Sequence, residues 1–214
     1  DNALYTRPDF FRVALFGGKK ANSAAAPGTG QYNPQAPDHG SFQVWAEKTD
    51  PDSKDVKFLC SFGGGLSGTT LQTTTYKDVY DNTKWNFAVR LTPVKNEIGN
   101  KTLPNSLGGT ENYTTEYTLE FYGIQTSVDV VEHEFKISKT ISAAQAADFI
   151  AQPKRFHVGG YRENPHTGNT IDKSNVKISS VRYWFDYLTD AEIKLHAYDA
   201  TNAGRLHPNE DAYA

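Results

Sequence analysis

Alternation of apolar and polar residues with a period of two runs through most of the chain, the pattern of strands that bury one face. It is present at about 10–16 (FFRVALF), 41–48 (SFQVWAEK), 56–62 (VKFLCSF), 68–75 (GTTLQTTT) and 84–92 (KWNFAVRLT). It returns at 115–122 (TEYTLEFY), 127–138 (SVDVVEHEFKIS), 155–160 (RFHVGG) and 175–187. Turn-forming clusters separate the runs: TDPDSKD, GGGLSG, YDNT and NPHTGN, each rich in residues that reverse the backbone. Nine strands with no alternation of strand and long helix predict antiparallel pairing in two packed layers.

The period changes at Thr189. Its side chain and that of Glu192 are spaced for a reciprocal capping box, and Leu188 and Ile193 for a hydrophobic staple. This predicts a helix over residues 190–198, too short to stand alone and bound to lean on a sheet. A second short helix is expected after Ser142, capped with Gln145, with Ala143, Ala146, Ala147 and Ile150 on one face and Pro153 as the stop. In the closing strand the apolar register shifts between Ile178 and Val181 across Ser179 and Ser180, which calls for a one-residue bulge.

Composition narrows the function. At 214 residues the chain suits a single domain, 1–214, with a core at about 10–198 and an irregular tail at 199–214. It opens at Asp1 and holds no methionine, so it is expected to be a processed product or a piece of a longer protein. The formal net charge of −3 leaves no basic field for nucleic acid or anionic lipid. No run of 18 apolar residues marks a membrane span, so no membrane insertion is expected. The single cysteine, Cys60, stands in register with Val56, Phe58 and Phe62 and reads as a buried, inert thiol.

The order of these pieces carries a resemblance. SFQVWAEK, then KFLCSFGGG, the Trp-led TKWNFAVRL, TLEFYGIQT, the Gly-ended RFHVGGYR and the closing VKISSVRYWFDYLTDAEIKLH follow one another over residues 41 to 198. In that order they resemble the laminin-G-like group of concanavalin-A-like (pentraxin-like) jelly rolls. The resemblance implies an all-β, antiparallel two-sheet jelly-roll sandwich with one or two short helices. It implies a closing strand paired in the sheet and a capped helix over one end. It also implies a non-catalytic recognition or adhesion module of a larger extracellular or virion-surface protein, with a glycan as the partner. Relatives in that group bind calcium at a loop rim, which leaves calcium open as a second ligand; no other cofactor is expected. The chain lacks the terminal disulfide of the secreted members, and its 17–40 and 93–114 insertions match nothing in the group.

Some glycanases share this sandwich and carry three carboxylates on one strand as nucleophile and acid. The nearest stretch is DVVEHEF, with Asp129, Glu132 and Glu134 at a different spacing. Glu132, Glu134 and Lys136 share the face opposite to Val131, Phe135 and Ile137, as a solvated outer face would. His133 falls in register with Val131 and Phe135 and reads as a core histidine with a backbone partner. The six histidines have no zinc-ligand spacing, and one thiol cannot build a thiolate site. Asp50, Asp52 and Asp55 of DPDSKD offer calcium its oxygens. An EF-hand needs glycine where Asp55 stands, however, and a hairpin turn explains the residues as well. No phosphate loop or nucleophile elbow is present.

If successive strands run antiparallel, loops 17–40, 63–67, 93–114 and 139–154 gather at one end. Loops 49–55, 76–83, 123–126 and 161–174 gather at the other. The second end collects the aspartates of 50–55 and Asp78 with the candidate ligand-binding residues Tyr80, Asp81, Asn82, Tyr161, Arg162, Asn164, His166 and Asn169. Aromatic faces for sugar rings and planar polar groups for hydroxyls suit a glycan. The alternative is a decoration domain of a viral capsid, tail or surface assembly whose partners are neighbouring protein chains; a glycoside hydrolase is a third reading.

Overall fold

The computed structural model describes residues 12–20, 41–50, 52–62, 69–94, 116–128, 130–142, 145, 146, 149, 150, 154–161, 172–174, 176–184, 186–199, 201 and 202. These are mostly strand, in two antiparallel sheets and a short ribbon. The larger sheet runs β4 (Thr69–Gln72), β3 (Val56–Phe62), β2 (Phe42–Lys48), β1 (Arg12–Lys20), β8 (Lys154–Val158). The smaller runs β5 (Trp85–Pro93), β6 (Tyr117–Ser127), β7 (Val130–Ile141), and β9 (Gly160–Tyr161) pairs with β10 (Asp172–Lys173).

Period-two alternation places Val44, Ala46, Phe58, Cys60 and Phe62 of the larger sheet on one face and Leu119, Phe121 and Phe135 of the smaller on another, and these faces meet in the main core. The architecture is that of an all-β sandwich. Cys60 is fully buried, and burial pushes its thiol up to about 12, so it stays protonated and unreactive.

The helix α1 (Asp190–Tyr198) starts as its sequence requires. The Glu192 N–H donates to Thr189 Oγ1 at 3.3 Å, and the Thr189 N–H donates to Glu192 Oε2 at 2.7 Å. Leu188 and Ile193 are both buried, in a second core cluster with Tyr122, Ile124 and Ala197. That cluster lies on the outer face of the three-stranded sheet, so the helix covers a sheet face and does not cap an end of the sandwich. At its C-terminus Lys84 Nζ donates to the Ala197 carbonyl at 2.8 Å, satisfying one of the helix's free acceptors.

Four other expectations are corrected. The closing run is not a strand: residues 176–184 pair with no described strand, although Ser180 does take a left-handed backbone (φ 55) where the bulge was expected. Residues 123–126 are not a loop but part of β6, which runs on to Ser127. A register shift between Gln125 and Thr126 moves Val131 to the outer face, where it packs with Ile124, away from Phe135. After Ser142, which caps Gln145, the helical residues face the core through Ala146 and Phe149, while Ile150 is 60% exposed.

Candidate functional site

Lys48 ends β2, Val56 begins β3, Trp85 begins β5, and Ser127 and Val130 flank the β6–β7 turn. The loops 49–55 and 76–84 therefore share one end of the sandwich, as strand parity predicts. The second loop is fixed by its own chemistry. Tyr76 is tied to Val56 by two backbone hydrogen bonds of 2.8 and 3.0 Å. Asp78 and Asn82 take left-handed backbones (φ 52 and 59), a conformation these short polar residues tolerate. The Asp81 N–H donates to the Asp78 carbonyl at 3.0 Å, and Thr83 Oγ1 to the Val79 carbonyl at 2.6 Å.

Four contacts stitch this turn to its neighbour. The Tyr80 N–H donates to the Lys54 carbonyl at 3.3 Å, and Lys54 Nζ pairs with Asp81 at 3.2 Å. Asp55 accepts from Lys77 Nζ at 2.5 Å and from the Asp78 N–H at 3.2 Å. Those two donors hold the Asp55 carboxyl below its ordinary range. Tyr80 remains exposed at the tip, with Lys48 Nζ 4.6 Å from its ring centre.

Beside the turn the core aromatics run out to the surface. Phe58 packs on Trp85 at 4.7 Å between ring centres, and Tyr76 meets the edge of Trp85 at 5.0 Å. His133 lies nearly parallel to Trp85 (6.2 Å, 8°) and against Tyr76 (5.3 Å). His133 is exposed, so it is not the core histidine expected from its register. The Trp85 Nε1–H is buried without a hydrogen-bond partner. Next to it, Gln125 Nε2 donates to Glu132 Oε2 at 2.9 Å.

Of the candidate residues, Tyr80, Asp81 and Asn82 are adjacent on this turn. Tyr161 is elsewhere. The chain leaves the sheet edge at Gly159, whose φ of +67 suits glycine, with its N–H on the Leu15 carbonyl at 2.7 Å. It then crosses the outer face of the larger sheet, where Tyr161 packs on Trp45 at 5.1 Å, the rings tilted by 46°, with Lys19 Nζ 5.6 Å from its ring. Arg162, Asn164, His166 and Asn169 lie outside the described residues, as does Asp129. Tyr76 and Trp85 are not among the residues singled out by sequence, and His133 is singled out there only as a core residue; the signal was there in Trp85, which leads its strand directly after the 76–84 turn.

The aspartates of 49–55 serve the fold. Asp50 Oδ1 accepts the Asp52 N–H at 3.1 Å, an Asx turn, and Asp55 is held as above. Among the described residues no three His, Cys, Asp or Glu side chains form a group suited to a metal ion. Glu132 is held by Gln125. Glu134, exposed on the outer face as its register predicts, accepts from Tyr122 at 2.8 Å and pairs with Lys194 of α1 at 2.9 Å, so it also fastens the helix.

Comparison with protein-family models, with curated proteins and with solved structures finds no match to this chain. The reading of the site rests on its chemistry: aromatic rings with an adjoining carboxylate and amide, on a turn whose backbone is already set. Such a surface stacks on the apolar face of a ring and exchanges hydrogen bonds with hydroxyls at little ordering cost.

Proposed function

We propose that this chain is a non-catalytic recognition module of the laminin-G-like, jelly-roll kind, displayed outside the cell or on a virion, and that its 76–84 end binds a glycan. The observation that supports this most is the pairing of the pre-set Tyr80–Asp81–Asn82 turn with the Tyr76–Trp85–His133 aromatics at one end of the sandwich. The carboxylates with the nearest approach to a hydrolytic pattern, Glu132 and Glu134, are engaged by Gln125 and by Tyr122 and Lys194, which favours binding over hydrolysis.

The test is a glycan array probed with the full chain. Retention of at least one glycan class is expected. Tyr80→Ala and Asp81→Ala should each weaken it by about tenfold, the loss of one good contact, without moving the unfolding midpoint. An array on which no glycan is retained would refute the proposal. Release of reducing sugar that disappears in Glu132→Gln would replace it with hydrolysis.

A further inference from the structure

The connection from β6 to β7 carries the most exposed large apolar side chains among the described residues. Val128 is 87% exposed and Val130 65%. Val128 also takes a left-handed backbone, with φ 54. For a β-branched side chain that conformation is a strained outlier, and strain of this kind collects where a ligand is held. Asparagine or glycine would make the same turn more easily, so turn-making does not explain a valine here.

The ladder places Val130 beside the aromatic group of the candidate site. Gln125 pairs with His133, Thr126 with Val131 and Ser127 with Val130. Val131 packs on the outer face, so alternation puts His133 and Val130 on the other face, the one that carries Phe135 into the core. Val130 thus stands two ladder steps beyond His133, roughly 7 Å toward the tip. His133 in turn lies against Tyr76 and Trp85. The apolar tip continues the aromatic group at the end of the sandwich that carries Tyr80.

Charge narrows what this end can hold. Segments 48–55, 76–85 and 125–133 contain no arginine. Their lysines are committed within the chain: Lys54 pairs with Asp81 and Lys77 with Asp55, Lys84 donates to the Ala197 carbonyl, and Lys48 lies over the Tyr80 ring. Asp50, Asp52 and Asp78 add exposed carboxylates. A carboxylate on an incoming sugar therefore meets like charge and no bidentate partner.

We infer that this end of the sandwich selects neutral sugars that carry a methyl group, as an N-acetylhexosamine or a 6-deoxyhexose does. The sugar ring lies on the Tyr76–Trp85–His133 aromatics, its hydroxyls reach the Tyr80–Asp81–Asn82 turn, and Val128 and Val130 cover its methyl. The inference rests on the glycan reading and adds the class of sugar.

The experiment sets the full chain on matched glycans that differ in one residue: hexose, N-acetylhexosamine, 6-deoxyhexose or uronate. At least one methyl-bearing sugar should be retained about fivefold more strongly than hexose, near what burying one methyl contributes, and uronate should fall below hexose. The N-acetyl and 6-deoxy arms tell which methyl is held. Val130→Ser and Val128→Asn should each bring the methyl-bearing sugar down to the level of hexose, with hexose retained as before. Val128→Asn should also raise the unfolding midpoint, because asparagine tolerates the left-handed backbone; a purely structural valine would give a lower one. Equal retention of hexose and the methyl-bearing sugars, or preference for uronate, would overturn this inference and leave the glycan reading standing. Retention of none of the four would overturn both. Phosphatidylcholine vesicles that bind through Val128 would assign the tip to lipid and overturn the inference as well.

Discussion

Gly123 shows how a single position was misread and why. Followed by Ile124, Gln125 and Thr126, it has the composition of a turn, yet it stands in the middle of β6 opposite both Phe87 and Phe135. A Cβ there would lie 2.3 Å from Phe135 Cε1 and 3.1 Å from Phe87 Cδ1. The glycine is room for two rings that arrive from distant sequence, so nothing local could reveal it. Cys60 is the opposite case: its neighbours Phe58 and Phe62 already define its face, and its burial follows from alternation alone. Gly123→Ala should therefore lower stability by about 1–3 kcal/mol through overpacking, read as a reduced urea midpoint. A midpoint equal to that of the unsubstituted chain would show that the rings move aside freely.

Among the elements, α1 was legible to the residue because its signals are local, three residues apart and reciprocal. Its docking face was not, because the partners come from three strands. Arg90 of β5 is almost wholly buried, with Nη1 2.7 Å from Asp190 Oδ1 and 2.9 Å from the Leu188 carbonyl. Its guanidinium lies between the rings of Tyr122 (5.2 Å) and Tyr187 (4.9 Å), and Glu120 stands 3.3 Å from its Nε. The tyrosine faces take part of a charge that would otherwise be poorly compensated. Lys136 adds a second cation on Asp190 at 2.8 Å. Burial pushes the Asp190 carboxyl up, but the hydrogen bonds from Lys136 and Arg90 outweigh it and leave the group below its ordinary range. A carboxyl depressed by folding stabilises the native state above its unfolded value and loses that contribution as pH falls through the folded one. The chain should thus lose stability progressively below about pH 4, the ordinary aspartate value. Asp190→Asn should be less stable at neutral pH and show a flatter decline on acidification, measured by urea unfolding at stepped pH. A variant with the same slope as the parent would remove Asp190 from the acid response.

Over the whole molecule, strand parity correctly brought 49–55 and 76–84 to one end, because counting antiparallel reversals needs no side-chain detail. It failed where the chain stopped obeying reversal. At Gly159 the backbone turns out of the sheet, so Tyr161 reaches Trp45 on an outer face instead of the rim. Beyond Ser174 the alternating pattern persists without ladder pairing to a described strand, although Tyr183 packs on Phe156 of β8. Those two departures occur on one flank, beside β8 and away from the 76–84 turn. Tyr80 sits where β2 ends and β3 begins, whereas Phe156 is paired with Gly18 toward the other end of β1 and touches Phe42 at 6.4 Å. Surfaces without shared contacts should act independently. Phe156→Asp should therefore leave glycan retention intact within about 0.5 kcal/mol in the folded protein. The measurement is the glycan array probed with the variant and with the unsubstituted chain. A glycan signal that falls with Phe156→Asp in a folded protein would mean that the two ends communicate through the packed sheets, and that the edge regulates the rim.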